Sequence, residues 1–218
     1  TGSVTETIQF SGYTWNVRHT GNGTQGPGPN YFNKKNVWVD ANGFLHLLLK
    51  KNAAGKWLCA EVSSVQNFGY GTYQFQIEGR IDKFNKNTVL GLFNYSGNDG
   101  FDEMDIEFAR WGNNNYPNLN YTIWPATTGF QNFHQEQEFS LNGTYTTHRF
   151  TRTANSVILK SLHGHVNDDT NLFASATCTS PPTSISTLAM PVHMNLWLFQ
   201  GHAPSDSKSV EIVVHSFS

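Results

Sequence analysis

The stretch Phe101-Asp-Glu-Met-Asp-Ile-Glu-Phe-Ala-Arg-Trp111 holds four of the sixteen acidic residues in a chain of 218. Acidic and apolar side chains alternate along it, so on a β-strand Met104, Ile106 and Phe108 share one face while the acids at 103, 105 and 107 share the other. On a helix the first two of these acids would lie about 200° apart around the axis. Burial of the apolar trio favours the strand and fixes its register, because a slip of one residue would drive three carboxylates into the core.

The rest of the chain shows the same alternation and no sustained period of 3.6 residues. Strand candidates bounded by turn residues lie at 37–39, 44–50, 73–81, 89–95, 118–124, 147–152, 157–163, 193–199 and 210–217. Many short strands with few helices predict an all-β fold of two packed antiparallel sheets. The Gly- and Pro-rich segment 21–29 is a loop in this interpretation, because too few residues precede it for a separate domain. We therefore expect one domain over residues 1–218.

Composition limits the classes of partner. Lys plus Arg total 14 and Asp plus Glu total 16, so the net charge of −2 offers no basic surface to a nucleic acid or an anionic membrane. Charged residues are only 14% of the chain and aromatic residues another 14%, a profile common among secreted β-proteins that bind neutral, hydroxyl-covered ligands. No apolar run reaches the ~18 residues that a spanning helix needs, and the start Thr1-Gly-Ser-Val has no signal-peptide pattern. We expect a mature, secreted monomer without a nucleic-acid or membrane partner.

Cysteine and histidine residues give no metal-site pattern. Cys59 and Cys178 allow either one disulfide or two buried thiols, and the sequence does not choose between them. None of the nine histidines shows zinc-finger spacing with a cysteine or a carboxylate, and no Gly-x-Ser-x-Gly motif of a serine hydrolase occurs. We expect no metal ligand set and no required cofactor.

The crowded acids of the opening stretch indicate a chemical use. Three carboxylates on one strand face repel one another, which a sheet built only for stability avoids. Hydrolysis of a glycosidic bond uses two carboxyl groups, one to protonate the leaving oxygen and one to attack the anomeric carbon or activate water. Cα atoms at 103 and 107 would lie about 13 Å apart, so long Glu side chains must lean inward to reach the ~5 to 5.5 Å of a retaining enzyme. A calcium site and a plain solvated strand face are the alternatives.

Glu103-Met-Asp-Ile-Glu107 resembles the Glu-x-Asp-x-Glu catalytic strand of the glycoside hydrolase family 16 β-glucanases, in the form found in their lichenase-like branch. Similar segments extend over roughly residues 30 to 217, at 59–63, 68–75, 118–121 and 194–197. The resemblance implies a β-jelly-roll sandwich with an open cleft across a concave sheet. It also implies that Glu103 is the nucleophile, Glu107 the general acid/base and Asp105 the helper between them.

A polysaccharide cleft needs aromatic rings that stack on sugar faces, interleaved with polar groups that bind hydroxyls. Trp111, Trp124 and Trp197 lie on or just beyond strands near the acids, and a place in the core is the alternative for each. The resemblance adds Glu61 as a sugar-binding acid, and Asn30, Tyr31 and Asn120 as further cleft residues. It leaves a structural calcium ion possible, for which no ligand cluster is visible in the sequence.

The chain departs from the family pattern at three places. Many lichenase-like members carry Arg two residues after the Glu of Ala-Glu-x-Arg, where this chain has Ser63. The stretch Phe150-Thr-Arg152 lacks a Trp that relatives often have, and Asn120-Tyr-Thr122 departs from the usual tyrosine pair. These differences leave the acidic strand intact and affect substrate specificity.

The resulting expectation is an endo-acting, retaining hydrolase that cleaves β-1,3 or mixed β-1,3-1,4 glucan by double displacement, with a polysaccharide as its partner. A transglycosylase shares the same covalent intermediate and stays open as an alternative. So do hydrolysis of another β-linked polysaccharide, such as xyloglucan or galactan, and a jelly roll that binds carbohydrate without turning it over.

Overall fold

A computed structural model describes residues 6–127 and 131–218. The described residues form sixteen β-strands, numbered here in chain order, and two short 3₁₀ turns at Lys34–Asn36 and Phe199–Gly201. The front sheet runs in the order β11 (Phe133–Gln137), β10 (Leu119–Trp124), β9 (Glu103–Phe108), β8 (Thr88–Tyr95), β15 (Met190–Leu198) and β6 (Trp57–Phe68). The back sheet runs in the order β5 (Leu45–Lys51), β16 (Val210–Phe217), β7 (Gly71–Glu78), β12 (Tyr145–Arg152), β13 (Ser156–His163) and β14 (Leu172–Thr179).

Short strands complete the two layers. On the front sheet, β1 (Thr7–Phe10) pairs with β2 (Tyr13–Val17), which pairs with β6. On the back sheet, β4 (Val37–Val39) pairs with β5. A short ladder between β5 and β6 joins the layers, and β3 (Tyr31–Phe32) runs parallel to β6 while the other pairings are antiparallel. The predicted all-β fold of two antiparallel sheets is confirmed.

The core lies between the sheets and fixes the acidic strand. Met104, Ile106 and Phe108 point inward and have no exposed surface. Phe108 packs edge-on against the buried ring of His148 from the back sheet, with ring centroids 4.7 Å apart. The inward side chains place the three acids of β9 on the outer face of the front sheet, as the alternation predicts.

Several strands lack a strong sequence pattern and were not predicted. On β14 the inward residues are Ala174, Ala176 and Cys178, whose small side chains give little apolar contrast with their neighbours. On β11 the pairing with β10 covers only one edge, and its central residues are exposed. The strand β6 is twelve residues long; its first half is half-buried or buried throughout and its last half is largely solvated, so neither half alternates clearly.

Arg152 explains one departure from the family pattern. Its side chain is 1% exposed and lies at the end of β12, on the back sheet. The guanidinium donates hydrogen bonds to Asn94 Oδ1 on β8 (2.7 Å) and to the backbone carbonyls of Ser186 (3.0 Å) and Leu188 (2.8 Å). This buried cation therefore ties the two sheets to the loop that precedes β15.

The two cysteines are separate, buried thiols. Cys59 lies on β6 of the front sheet and Cys178 on β14 of the back sheet. Of the two alternatives that the sequence allows, the disulfide is not formed.

Within residues 6–127 and 131–218, no helix has the length and apolar character needed to cross a bilayer. The assignment of residues 1–218 to one domain stays a prediction.

Candidate active site

The register of the front sheet builds the site around β9. On one side, β8 places Tyr95, Phe93 and Gly91 opposite Glu103, Asp105 and Glu107, respectively. On the other side, β10 places Trp124, Thr122 and Asn120 opposite the same three acids. Directly paired residues of antiparallel strands share a face, so these side chains surround the acids on the outer face of the sheet.

A cleft of about 580 Å³ lies over this face. Its lining includes all three acids of β9, the aromatic residues Phe93, Tyr95 and Trp197, and the polar residues Arg18, Glu61, Asp99, His193 and Asn195. Aromatic faces interleaved with carboxylates and amides are the combination that a sugar chain requires. The cleft matches the kind of site that the sequence predicts.

Asp105 is the most deeply placed of the three acids. It is 3% exposed, and its Oδ2 accepts a hydrogen bond from Trp124 Nε1 at 3.1 Å. Burial raises the pKa of Asp105 well above its ordinary value, and the neighbouring charge of Glu103 raises it further. Asp105 therefore keeps its proton and donates a hydrogen bond to Glu103. This hydrogen bond lowers the pKa of Glu103 and so acts against the effect of burial, which raises it.

Glu103 and Glu107 differ in how readily they ionise. Burial and the charge of Glu103 raise the pKa of Glu107 to about 8, so Glu107 holds its proton at neutral pH. Burial also raises the pKa of Glu103, but the hydrogen bond from Asp105 and the charge of His193 oppose that rise. Glu107 therefore keeps its proton more readily than Glu103 does, which is the asymmetry that the predicted roles of proton donor and nucleophile require.

Glu61 lies in the wall of the cleft, on β6, and is 8% exposed. Its Oε1 accepts hydrogen bonds from Arg18 Nη1 (3.2 Å) and from Asn195 Nδ2 (3.0 Å). Burial opposes its ionisation, yet interactions with His193, Arg18 and Asn195 hold the pKa of Glu61 below its ordinary value. Glu61 is a fixed carboxylate at the place where the resemblance puts a sugar-binding acid.

The predicted tryptophans take different positions. Trp197 lines the cleft, and Trp124 contacts Asp105. Trp111 packs against Trp197 with ring centroids 6.4 Å apart, and its Nε1 donates to Asn120 Oδ1 at 3.2 Å. Asn120 is fully buried and also donates to the backbone carbonyl of Ala109, so both ends of its amide are occupied. Trp111 and Asn120 therefore support the cleft from beside it, and direct sugar contacts by them stay predictions.

Asn30 and Tyr31 do not line the described cleft. Asn30 is buried, and its amide donates hydrogen bonds to the carbonyls of Pro27 (2.7 Å) and Leu198 (2.8 Å). It thereby holds the Gly/Pro loop, whose Pro27 is part of the cleft wall. The Tyr31 ring lies 4.8 Å from Lys56 Nζ. The structure thus gives Asn30 a supporting contact, and a sugar contact by either residue stays a prediction.

The sequence analysis missed the aromatic cleft residues Phe93 and Tyr95 and the polar cleft residues Arg18, Asp99, His193 and Asn195. Phe93 and Tyr95 lie on a correctly predicted strand, and their alternation with Leu92 and Asn94 puts them on one face. That face becomes informative only once β8 is known to pair with β9. Arg18 follows a strand that had not been predicted, so no local pattern pointed to it.

No group of three or more His, Cys, Asp or Glu side chains in the part of the chain described here is arranged to hold a metal ion. That finding concerns side chains of these four types only. A structural calcium ion and the absence of a required cofactor both stay predictions.

A two-layer β-sandwich with an acidic strand at the centre of a cleft has the architecture of the jelly-roll glycoside hydrolases. Comparison with protein-family models gives no match for this chain. Over 78 residues it is 40% identical to the β-glucanase of Bacillus subtilis (strain 168), a segment that is 34% of this chain and 30% of that protein.

Solved structures match over nearly the whole chain. The β-glucanase of Bacillus licheniformis superposes with a TM-score of 0.68 at 22% identity, over 92% of this chain and 89% of that one. A family 16 endo-glucanase from Bacteroides ovatus, in complex with G4G3G-2F-DNP, has a TM-score of 0.69 at 15% identity, over 94% of this chain and 93% of that one. Rv0315 of Mycobacterium tuberculosis, described as an immunostimulatory antigen and pseudo β-1,3-glucanase, has a TM-score of 0.67 at 17% identity, over 92% and 88%. The jelly-roll fold and the resemblance to family 16 β-glucanases are confirmed.

Proposed function

We propose that this chain is an endo-acting, retaining hydrolase of β-1,3 or mixed β-1,3-1,4 glucan. One observation carries the proposal: a single strand holds Glu103 and Glu107 in one cleft, and their surroundings give the two side chains different pKa values. The β-glucanase names of similar proteins support the substrate class.

In the proposed first step, the Glu103 carboxylate attacks the anomeric carbon and forms a covalent glycosyl ester. The bond from that carbon to the leaving oxygen breaks, and Glu107 transfers its proton to this oxygen. In the second step, the Glu107 carboxylate takes a proton from water, whose oxygen attacks the same carbon and releases Glu103. Asp105 holds a hydrogen bond to Glu103, and Trp124 fixes Asp105.

Binding without turnover is the second candidate. It is favoured by the similarity to a fold relative described as a pseudo β-1,3-glucanase. Against it stands the arrangement of the acids, because a binding site gains nothing from three crowded carboxyl groups, one buried and two half-buried, whose charged forms repel. Interception of the intermediate by a sugar in place of water would give transglycosylation from the same residues.

A panel of polysaccharides tests the proposal. Purified chain is incubated with lichenan, barley β-glucan, laminarin, xyloglucan, agarose and carrageenan, and reducing ends and products are identified. We expect release from lichenan, barley glucan or laminarin that is lost in Glu103→Gln. If reducing ends are released only from xyloglucan or a galactan, the substrate is that polysaccharide and not a β-1,3 or mixed β-1,3-1,4 glucan. If no polysaccharide is cleaved but one is bound, the non-catalytic candidate is favoured.

We further propose that the chain acts outside the cell as a monomer and needs no cofactor for turnover. Treatment with a chelator is then expected to leave the initial rate unchanged, although it would lower the melting temperature if a structural calcium ion were bound. Light scattering coupled to gel filtration checks the mass against 24.4 kDa.

A further inference from the structure

The chain has Ser63 in place of an arginine, and the neighbouring strand places a histidine, His193, directly beside it. Ser63 stands where lichenase-like proteins often have Arg, two residues after Glu61 and on the same face of β6. The ladder between β6 and β15 pairs Ser63 directly with His193. Paired residues have Cβ atoms roughly 5 Å apart, so the imidazole of His193 rises beside the small Ser63 side chain.

Arg18 is the other cation beside Glu61, and three of its five N–H donors already have partners. Besides Glu61, its guanidinium donates to Gln25 Oε1 (3.1 Å) and to the carbonyl of Gly26 (2.6 Å). Its Cζ lies 4.0 Å from the centre of the Phe32 ring. Arg18 therefore fixes the Gly/Pro loop against Glu61, and both Nη atoms are engaged in that contact.

His193 is packed against aromatic rings, and neither of its ring nitrogens forms a hydrogen bond with the residues that the structure describes. Its ring stacks on Phe93, with centroids 4.8 Å apart and planes 14° apart, and lies 5.7 Å from the Tyr95 ring. The buried Nδ1 lies 3.5 Å from Glu61 Oε2, within ion-pair distance but without a hydrogen bond, so a small movement of either side chain would let Nδ1 donate to Glu61. Nε2 forms no hydrogen bond with any residue that the structure describes, and the side chain, 20% exposed, lines the cleft.

We propose that His193 is a substrate-binding residue that replaces the arginine absent at position 63, with Glu61 orienting Nδ1 so that Nε2 bonds a hydroxyl of a sugar unit beside Glu103. A ring that donates from Nδ1 to Glu61 accepts at Nε2 when neutral and donates there when protonated. A sugar hydroxyl both donates and accepts, so it satisfies either form. This inference rests on the proposed function and names a specificity-determining residue within it.

The test separates substrate binding from a structural role. Three variants are compared with the parent: His193→Met, which keeps an apolar side chain against Phe93; His193→Gln, which keeps a polar end; and His193→Met with Ser63→Arg. KM and kcat are measured on the glucan that the parent hydrolyses. Binding of laminaritetraose and a lichenan-derived tetrasaccharide is measured by calorimetry in a Glu103→Gln background, so that no turnover occurs.

We expect His193→Met to raise KM and weaken tetrasaccharide binding about tenfold with the melting temperature unchanged, and to lower kcat by a smaller factor because the charge that favours ionised Glu103 is removed as well. Ser63→Arg is expected to restore most of that binding, and His193→Gln to lose only part of it. KM and binding within twofold of the parent in His193→Met, or a loss that Ser63→Arg does not restore, would overturn the inference. If His193→Met fails to fold, unchanged KM and binding in His193→Gln would overturn it. A parent without turnover of any glucan would instead overturn the proposed function.

Discussion

Three carboxyl groups on β9 share one face but not one ionisation state. Glu107 is buried beside the charge of Glu103, which raises its pKa to about 8, whereas Glu103 receives a hydrogen bond from Asp105 and the influence of His193. Asp105 is the deepest of the three and is fixed by Trp124. The surroundings of each side chain therefore agree with the proposed division of roles between proton donor and nucleophile.

Replacing either glutamate should abolish most turnover. We expect Glu103→Gln and Glu107→Gln each to lower kcat/KM by about 100-fold or more, because each removes a covalent or proton-transfer role and little volume. Reducing-sugar assays measure the loss, and circular dichroism verifies the fold. Glu211→Gln on the back sheet, whose side chain is 45% exposed, is the matched control. Activity within tenfold of the parent in either cleft variant would refute its assigned role.

Asp105 should affect the pKa of Glu103 without itself acting as nucleophile or acid. Asp105→Asn is expected to lower turnover less than Glu103→Gln does, since nucleophile and acid both remain. An amide is a weaker hydrogen-bond donor to Glu103 than a carboxylic acid, so the acid limb of the kcat/KM profile should move to higher pH. The basic limb, which follows Glu107, should stay near pH 8. An acid limb identical to that of the parent would show that the two groups are not coupled.

The strands β8 and β15 determine how much room the acids have. Gly91 on β8 lies between Asn195 on β15 and Glu107 on β9. A Cβ atom at Gly91 would lie 2.5 Å from Asn195 Oδ1, closer than real Cβ contacts allow. Asn195 in turn donates to Glu61, so the absence of a side chain at position 91 keeps the floor of the cleft in order.

Adding one methyl group at this point should disturb both stability and binding. We expect Gly91→Ala to lower the free energy of unfolding by about 1–3 kcal/mol and to raise KM, because Asn195 must move away from Glu61. Thermal unfolding and kinetics measure the two effects. Gly143→Ala, at a turn glycine with open space around it, is the control and should be neutral. Adding Asn195→Ala should recover stability, and a double variant no more stable than Gly91→Ala would contradict the proposed clash.

These elements also show how far the sequence alone reaches. Acids alternating with Met104, Ile106 and Phe108 define a strand and its inward face locally, so both could be predicted, while the catalytic roles of the acids stay predictions. The contribution of His193 depends on its pairing with Ser63, some 130 residues away, which no local pattern encodes. The strand β14 was missed because small inward residues suffice where the two sheets pack closely.

Folding places Glu107 in the floor of the cleft, where its carboxyl group is harder to ionise, and this makes the free energy of unfolding depend on pH. In the unfolded chain Glu107 ionises near its ordinary pKa of 4.5, whereas in the fold its pKa is about 8. Between these values the unfolded chain releases a proton that the folded chain keeps. The free energy of unfolding therefore falls as the pH rises through this window, and the penalty is complete above about pH 8.

Removing that charge should stabilise the protein while inactivating it. We expect Glu107→Gln to raise the free energy of unfolding by about 1–3 kcal/mol at pH 8, since each pKa unit corresponds to ~1.4 kcal/mol and the side chain retains some solvent contact. At pH 4 the difference should vanish, because both states then carry the proton. Denaturant unfolding at the two pH values measures it, with Glu6→Gln, an exposed carboxylate paired with Lys34, as the control. Equal effects at pH 4 and pH 8 would contradict the raised pKa.

The stereochemistry of the first product tests the central claim most directly. Proton NMR of the unmodified protein acting on its best glucan, recorded before mutarotation, distinguishes the two anomers of the new reducing end. Attack by Glu103 followed by water activated by Glu107 predicts initial release of the β-anomer. Initial release of the α-anomer would contradict the covalent role of Glu103, and the absence of any new reducing end would contradict hydrolysis itself.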